Sequence, residues 1–478
     1  MSLVINNNIA SLNAQNNLAL TTNELSSSLE KLSSGLKINR GADDPAGLVI
    51  SEQQRAQISG LQTAIDNTSK AVTVVQTAEG ALNEINSLLV QIRSVALDAA
   101  NNGIQDTNSL AADQAQIANA LATIDRIAAN TQFGTKKLLD GSAGITGSSS
   151  NTAVTFLKAN STSPTGAFTL DITTAGARAT TTAATVQTAA LAANETLTIN
   201  GVAIALTAGE TQAQVRDTIN QFSGQTGVTA DLNGTGGATR LYTTAFGSNA
   251  KISVQSNVAA AANSSGFGTS LTSVTGTDIA GDFGGASFTA SGNGNVLTGS
   301  TGSGAAGISV SVGLASGSQT TTASGAALAT ITVTDNSLVF QIGPNANQTA
   351  KVSVDNVSTQ ALGLNVVGDQ FSNLNQIDVR SSSGANDAVK VIDQAVNDVS
   401  TLRGRLGAFQ SQTLESTANT LRTTLENTTA AESVIRDTDF AAETARFTKF
   451  QVLAQAGTSV LTQANQTSQL VLALLQKL

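Results

Sequence analysis

Apolar residues recur at three-, four- and seven-residue spacing along both ends of this 478-residue chain, and the long stretch between the two blocks is nearly free of charge. Positions 141–334 hold 12 charged residues in 194, whereas the two flanks hold 45 in 284. In the first block Ile5, Ile9 and Leu12 lead into Leu18, Leu25, Leu29, Leu32 and Leu36. In the last, Phe447, Phe450, Leu453, Val460, Ala464, Val471, Leu474 and Leu478 run to the final residue. Such spacing predicts amphipathic helices, because side chains three and four apart share a helix face. A helix over 6–34 would be roughly 43 Å long at 1.5 Å per residue. Apolar stripes ordinarily mean the interior of a helix bundle. These continue to the chain ends, which fray unless something holds them, and so they predict helices that pair with each other and with further copies.

The start and stop signals agree with that reading. Gly35 suits a helix end, where the chain turns left-handed. Asp44 before Pro45 suits a start, since the carboxylate accepts from free N–H groups and proline fits the first helical position. A helical pattern then runs to Ala100, where Asn101-Asn102-Gly103 closes it, and another spans about 109–129. Val389, Ile392, Val396, Val399, Leu402, Leu406 and Phe409 form a further stripe, and Asp437-Thr438-Asp439 interrupts the pattern before the last helix.

The Gly/Ser/Thr/Ala-rich middle could be read as a flexible linker. Its period-two alternation argues for half-buried strands instead, as in Lys251-Ile252-Ser253-Val254 and in Ile308, Val310, Val312 and Leu314. Thr196–Ile199, Asn200-Gly201 and Val202–Leu206 predict a hairpin, because Asn-Gly accepts the positive φ angles of a type I′ turn. A short helix is expected around Val215, Ile219 and Phe222. The middle is therefore predicted to be folded and β-rich.

Composition narrows the chemistry. The chain has no Cys, His or Trp, one Met and one Tyr, so disulfides, Cys or His zinc sites, thiol or histidine catalysis and histidine pH switching are all excluded. With 24 basic against 33 acidic residues and few aromatics, it lacks both the phosphate clamp and the stacking platform of a nucleic-acid binder. The segment Met1-Ser2-Leu3-Val4-Ile5-Asn6-Asn7-Asn8 has neither a basic region nor an unbroken apolar one, so no cleaved secretory signal is read there. No run of about 18 apolar residues predicts membrane insertion. Only seven Asp/Glu lie in 141–334, scattered singly, which argues against paired-carboxylate catalysis. The expectation is a chain that is not an enzyme and takes no cofactor or metal.

Several ordered motifs resemble bacterial flagellin. At the N-terminus they are Ile9-Ala10-Ser11-Leu12-Asn13-Ala14-Gln15-Asn16-Asn17-Leu18, Leu32-Ser33-Ser34-Gly35-Leu36-Lys37-Ile38-Asn39 and Asp43-Asp44-Pro45-Ala46-Gly47-Leu48. Ile124-Asp125-Arg126-Ile127 and Asn130-Thr131-Gln132-Phe133 are similar to that family too. At the far end the resemblance begins near Phe340-Gln341-Ile342-Gly343 and is densest in Val460-Leu461-Thr462-Gln463-Ala464-Asn465-Gln466. It departs at Ser468, where a proline is common, and at Pro344 with Asn347. About 190–256 resembles a small repeat module of flagellin and hook-protein outer domains.

The resemblance implies an α+β multidomain chain. Long coiled-coil-like helices from both termini form the inner domains, and a β-rich outer insertion lies in the middle. The expected layers are 1–40 with 440–478 as a terminal coiled coil, 41–141 with 335–439 as a helix bundle plus β-hairpin, and 142–334 as the surface-exposed region. It implies a homopolymer of many copies, the extracellular flagellar filament used for motility, exported without a cleaved signal peptide. Expected partners are the flagellar export chaperone, the cap and the hook-junction proteins. The expected subunit-packing residues are Ile5, Ile9, Leu12, Leu25, Leu29, Leu32, Leu453, Val460, Ala464, Val471, Leu474 and Leu478.

The segment 89–97 aligns with the part of some flagellins that the Toll-like flagellin receptor of animals recognises. Those members carry Arg, Leu and Glu where this chain has Gln91, Val95 and Gln116. Losing an arginine and a carboxylate removes charge-assisted hydrogen bonds. Gln91, Arg93, Val95, Leu97 and Gln116 are therefore read as a weak receptor-facing segment at most, with subunit packing the plainer reading. The Ser/Thr-rich outer region leaves O-glycans open beside a plain solvated β surface. A hook-filament junction protein and a surface adhesin on the same scaffold stand as alternatives.

Overall fold

The computed structural model describes residues 7–101, 105–285, 287–315, 318–321 and 325–475. The helices are α1 (Ile9–Ser34), α2 (Pro45–Ala99), α3 (Thr107–Asn130), α4 (Gln212–Gln221), α5 (Ser223–Thr226), α6 (Ser382–Ala408), α7 (Ser416–Arg436) and α8 (Phe440–Leu475). Their limits follow from local chemistry. Asn8 caps α1 by accepting from the Ser11 N–H at 3.0 Å, and Gly35 ends it at φ 74°. Asp44 accepts from the Gly47 N–H at 2.9 Å at the head of α2, and Asp106 accepts from the Ser109 N–H at 2.7 Å at the head of α3. These groups satisfy N–H donors that have no partner within the first turn. The Asn102-Gly103 part of the expected stop after α2 lies outside the described residues.

The chain forms two compact units, and α2 contributes to both. The first contains Met1–Ser69, Gln341–Gln348 and Ser416–Leu478. In it Leu61, Ala64 and Ile65 of α2 pack against Leu421 and Leu425 of α7. Pro344 sits against Gly60, where an added Cβ would meet it at 3.2 Å. The small residue admits the turn.

The second unit contains Lys70–Phe340 and Thr349–Glu415. Its helical part buries Leu82, Ile85, Leu89 and Ile92 of α2, Ile117 and Ile124 of α3, and Ile392, Val399, Leu402 and Leu406 of α6. Between α6 and α7, Phe409–Glu415 is a π-helix. Leu402, Leu406 and Leu414 are all buried, although steps in multiples of four residues would drift around an α-helix. The wider π turn keeps the stripe on one side. Sequence periodicity did not anticipate that segment.

The middle of the chain builds two β cores. In one, antiparallel strands Thr272–Thr275, Lys251–Ser256, Glu195–Ile199 and Val202–Leu206 form a sheet in that order. A second sheet takes Arg178–Thr182, Arg240–Phe246 and Val228–Asp231, and α4 contributes Val215 and Ile219 to the shared core. The predicted hairpin is there, with Asn200 at φ 49° and Gly201 at φ 84°. Glu195, 2% exposed, accepts from the Ser256 hydroxyl at 2.5 Å and the Ser265 N–H at 2.8 Å, so its buried carboxyl group has partners. The other core joins two four-stranded sheets through Phe168, Leu170, Ile172, Ile308, Val310, Val312 and Ile331. Alternation predicted Leu314 on that buried face. It is 39% exposed, because the strand ends at Val312.

One buried group in the second unit gives a pH prediction. Asp369 is 1% exposed, and its Oδ2 has no hydrogen-bond partner among the described residues. Burial pushes its carboxyl up to about 7, against the opposing Phe371 N–H and with help from the nearby Asp387 charge. The folded chain therefore holds a proton that the unfolded chain has lost, and stability falls as pH rises from about 4 to about 7. Asp369→Asn removes that penalty. Its Tm gain over the parent should be largest above pH 7 and vanish near pH 4, on the order of 2–4 °C per kcal/mol recovered. Equal gains at pH 4 and pH 8 in thermal scans would refute the assignment.

Candidate assembly surface

Both chain ends belong to the first unit. They meet where Leu36 and Asp437 form an isolated antiparallel bridge. The Lys37 N–H donates to the Arg436 carbonyl at 2.7 Å, and the Thr438 N–H donates to the Gly35 carbonyl at 2.9 Å. From that root α1 and α8 run antiparallel. Ser28 hydrogen-bonds to Glu443, and at the far end Asn8 Nδ2 donates to the Ala464 carbonyl at 3.0 Å while Ser11 Oγ donates to Asn465 Oδ1 at 2.7 Å.

Exposure shows which face each helix turns inward. In α1 Ser11, Ala14, Leu18, Thr21, Leu25, Ser28 and Leu32 are sheltered, alternating three and four residues apart, with Ser27, Glu30 and Lys31 half-buried beside them near the root. In α8 they are Glu443, Phe447, Phe450, Ala454, Gly457, Leu461 and Ala464, with the same alternation. This is the heptad seam of a two-helix coil. Small residues are frequent in it. A Cβ at Gly457 would come within 3.2 Å of Leu18 Cδ1, so that glycine admits the leucine.

The predicted packing residues accordingly divide. Leu25, Leu32 and Ala464 are half-buried in the seam within one chain. Ile9, Leu12 and Leu29 lie outside it at 64%, 60% and 56% exposure, and Leu453 and Val460 at 44% and 58%. Val471 and Leu474 lie in the last turns of α8, and Ile5 and Leu478 fall outside the described residues. Leu20 and Val452, at 63% and 60% exposure, join the outward set without having been singled out from the sequence. By helical geometry Ile9, Leu12 and Leu20 point away from the seam, whereas Leu453 and Val460, one heptad apart, flank it. A groove of about 240 Å³ lies between the helices, lined by Ala14, Leu18 and Thr21 and by Leu453, Gly457 and Val460.

The segment 89–97 is built differently. Leu89, Ile92 and Ala96 are buried in the helical core of the second unit. Arg93 is tied to Asp393 of α6, Nε to Oδ1 at 2.5 Å. Gln91 and Gln116 are exposed, Val95 is half-buried, and Leu97 is 47% exposed. The exposed polar side chains at the aligned positions are thus neutral amides.

This architecture can be set beside known proteins. Residues 5–144 match the bacterial flagellin N-terminal helical region, residues 389–475 the bacterial flagellin C-terminal helical region, and residues 196–245 the flagellin hook IN motif. The B-type flagellin of Pseudomonas aeruginosa is 34% identical over 539 residues, covering 100% of both chains. Flagellin of Clostridium tyrobutyricum is 31% identical over 98% of this chain and 100% of its own, and that of Salmonella rubislaw is 31% identical over 100% of both. Whole-length similarity to flagellins does not favour the junction-protein and adhesin readings. With helices at both termini, a β-rich middle and these matches along its whole length, the chain belongs to the flagellin family, the structural subunits of the extracellular bacterial flagellar filament.

Proposed function

We propose that this chain polymerises with copies of itself through the α1–α8 pair, and that the apolar residues outside the seam form the contacts between copies. The observation that carries this reading is the exposure of Ile9, Leu12, Leu20, Val452, Leu453 and Val460 on two regular helices. Fully burying one such side chain contributes about 1.5–3 kcal/mol. Ordering backbone costs about 1–2 kcal/mol per residue. A two-helix coil with so polar a seam gains little alone, so ordering of the ends is coupled to incorporation.

In this reading 1–40 with 440–478 form the core of the filament. The layer outside it is 41–141 with 335–439, and 142–334 face the medium, where O-glycans would attach. The chain leaves the cell without losing a signal peptide and meets the export chaperone, the cap and the hook-junction proteins on its way. The Leu89–Leu97 segment serves packing, and neutral Gln91 and Gln116 would give an immune receptor only a weak foothold. The chain performs no catalysis.

The test is growth of purified full-length chain on seeds or in a precipitating salt, imaged by negative-stain electron microscopy beside a chain lacking 1–38 and 440–478. Long filaments are expected from the full chain alone. Filaments from the truncated chain, or none from either, would overturn the role given to the terminal helices.

A further inference from the structure

Among the described residues, Glu443 is the buried acidic side chain of the α1–α8 seam, and it stands in the first turn of α8. Glu443 is 7% exposed, and Ser28, which faces it, is 2% exposed. The Ser28 hydroxyl donates to Glu443 Oε1, and the remaining oxygen has Arg446 of the same helix at 3.8 Å. Phe447 and Phe450 follow along the α8 side, and Leu25 and Leu32 flank Ser28 on the α1 side. An apolar residue at position 443 would extend the stripe and bury more surface. A buried polar group in a coil instead lowers its stability and narrows the arrangements it accepts, since leaving that group without a partner is the costly outcome.

We infer that Ser28 and Glu443, together with the Leu36–Asp437 bridge, fix the register of α1 against α8. Sliding one helix by a single turn is the smallest slip that keeps the two stripes in contact. It would carry the carboxylate from Ser28 to Leu25 or Leu32, where no hydroxyl receives it. In the far half Ala14, Ala454 and Ala464 are small enough to pass one another, while Gly457 opposite Leu18 and the Asn8 and Ser11 hydrogen bonds add their own preference for the observed register. The Leu36–Asp437 bridge at the root resists a slip of either size, and it alone resists a full-heptad slip toward Thr21, which would restore a hydroxyl. The bridge and the buried pair together leave one register. Register matters because it sets where the groove-lining Leu453 and Val460 stand relative to Ala14 and Thr21. On the polymerising role proposed above, that relation is part of the surface offered to the next copy.

The chain has no cysteine, so engineered pairs report register without background. Leu18→Cys is combined with Gly457→Cys for the observed register, and with Ala454→Cys or Leu461→Cys for one-turn slips. Each pair is placed in the full-length parent, in Glu443→Gln and in Glu443→Leu. Every chain is diluted into unmodified parent during filament growth and then oxidised. A disulfide forms only where Cα atoms approach within about 7 Å. In the parent and in Glu443→Gln, which keeps an acceptor for Ser28, the 18–457 product should exceed either slipped product by about tenfold or more, as expected for an unpaired buried polar group. In Glu443→Leu that excess should fall at least about threefold, because an apolar side chain tolerates a one-turn slip and the Leu36–Asp437 bridge is left to resist it. If Glu443→Leu is excluded from the polymer, the same ratio is read on the full chain in the polymerising salt, with Glu443→Gln as reference.

An unchanged ratio in Glu443→Leu would overturn the inference. So would scrambled products in Glu443→Gln, which would assign the effect to charge and not to the hydrogen bond. Failure of the unmodified parent to polymerise strikes the proposed function instead, and the cross-link ratio separates the two.

Discussion

The Ile9→Asp chain is expected to form no filaments while its β-rich middle melts as in the parent. Ile9 is 64% exposed on α1, so the substitution removes little packing within one chain, and surface changes of that kind usually stay within about 0.5 kcal/mol. It is also the first residue of the helix, where the helix dipole favours a carboxylate. Loss of growth therefore could not be assigned to a melted helix. In a polymer the same side chain would be pressed against another copy, and a carboxylate there without a partner costs several kcal/mol. Leu453→Asp on α8 should behave alike. The measurement is seeded growth by light scattering and electron microscopy, with circular dichroism of the unassembled chain as control. Filaments growing at the parental rate from either variant would end the claim that these faces join copies.

The second large effect concerns two leucines eight residues apart on α2. Leu89 is 0% exposed among Ile85, Ile92 and the α3 and α6 core, whereas Leu97 is 47% exposed. Leu89→Ala is expected to destabilise the helical part of its unit by about 2–5 kcal/mol, the range for deleting a buried leucine side chain. At roughly 2–4 °C per kcal/mol this lowers Tm by about 4–20 °C. Leu97→Ala should leave Tm within a degree or two, because a half-exposed leucine gives up little contact. Thermal unfolding of both variants checks this. A drop for Leu97→Ala as large as that for Leu89→Ala would mean that the exposed edge of α2 carries packing this fold does not show.

Much of the local structure could be read residue by residue. Gly35, Asp44-Pro45 and Asp437-Thr438-Asp439 mark helix boundaries because each acts within one turn of its own position, through φ freedom or a cap. Asn200-Gly201 gives its hairpin for the same reason. Ile252, Val254, Ile308, Val310 and Val312 are all buried as their alternation requires. Where local forces dominate, the sequence suffices.

The site was only half legible. Periodicity grouped Ile9 and Leu12 with Leu25 and Leu32 as one apolar stripe, yet the structure turns the second pair into the seam and the first away from it. Both pairs satisfy the same spacing rule, and only the position of α8 separates them. Ser28 and Glu443 carried no signal in the sequence at all, since a serine and a glutamate 415 residues apart read as solvated until the chain brings them together. The π-helix at Phe409–Glu415 likewise answers to what stands opposite Leu406 just before it and Leu414 within it. The sequence by itself determined most of the helices, the alternating strands and the boundaries marked by a local cap or turn, because those choices depend on neighbours along the chain. The tertiary structure decided which face of each helix is spent within the molecule and which stays exposed, because burial is a property of what stands opposite.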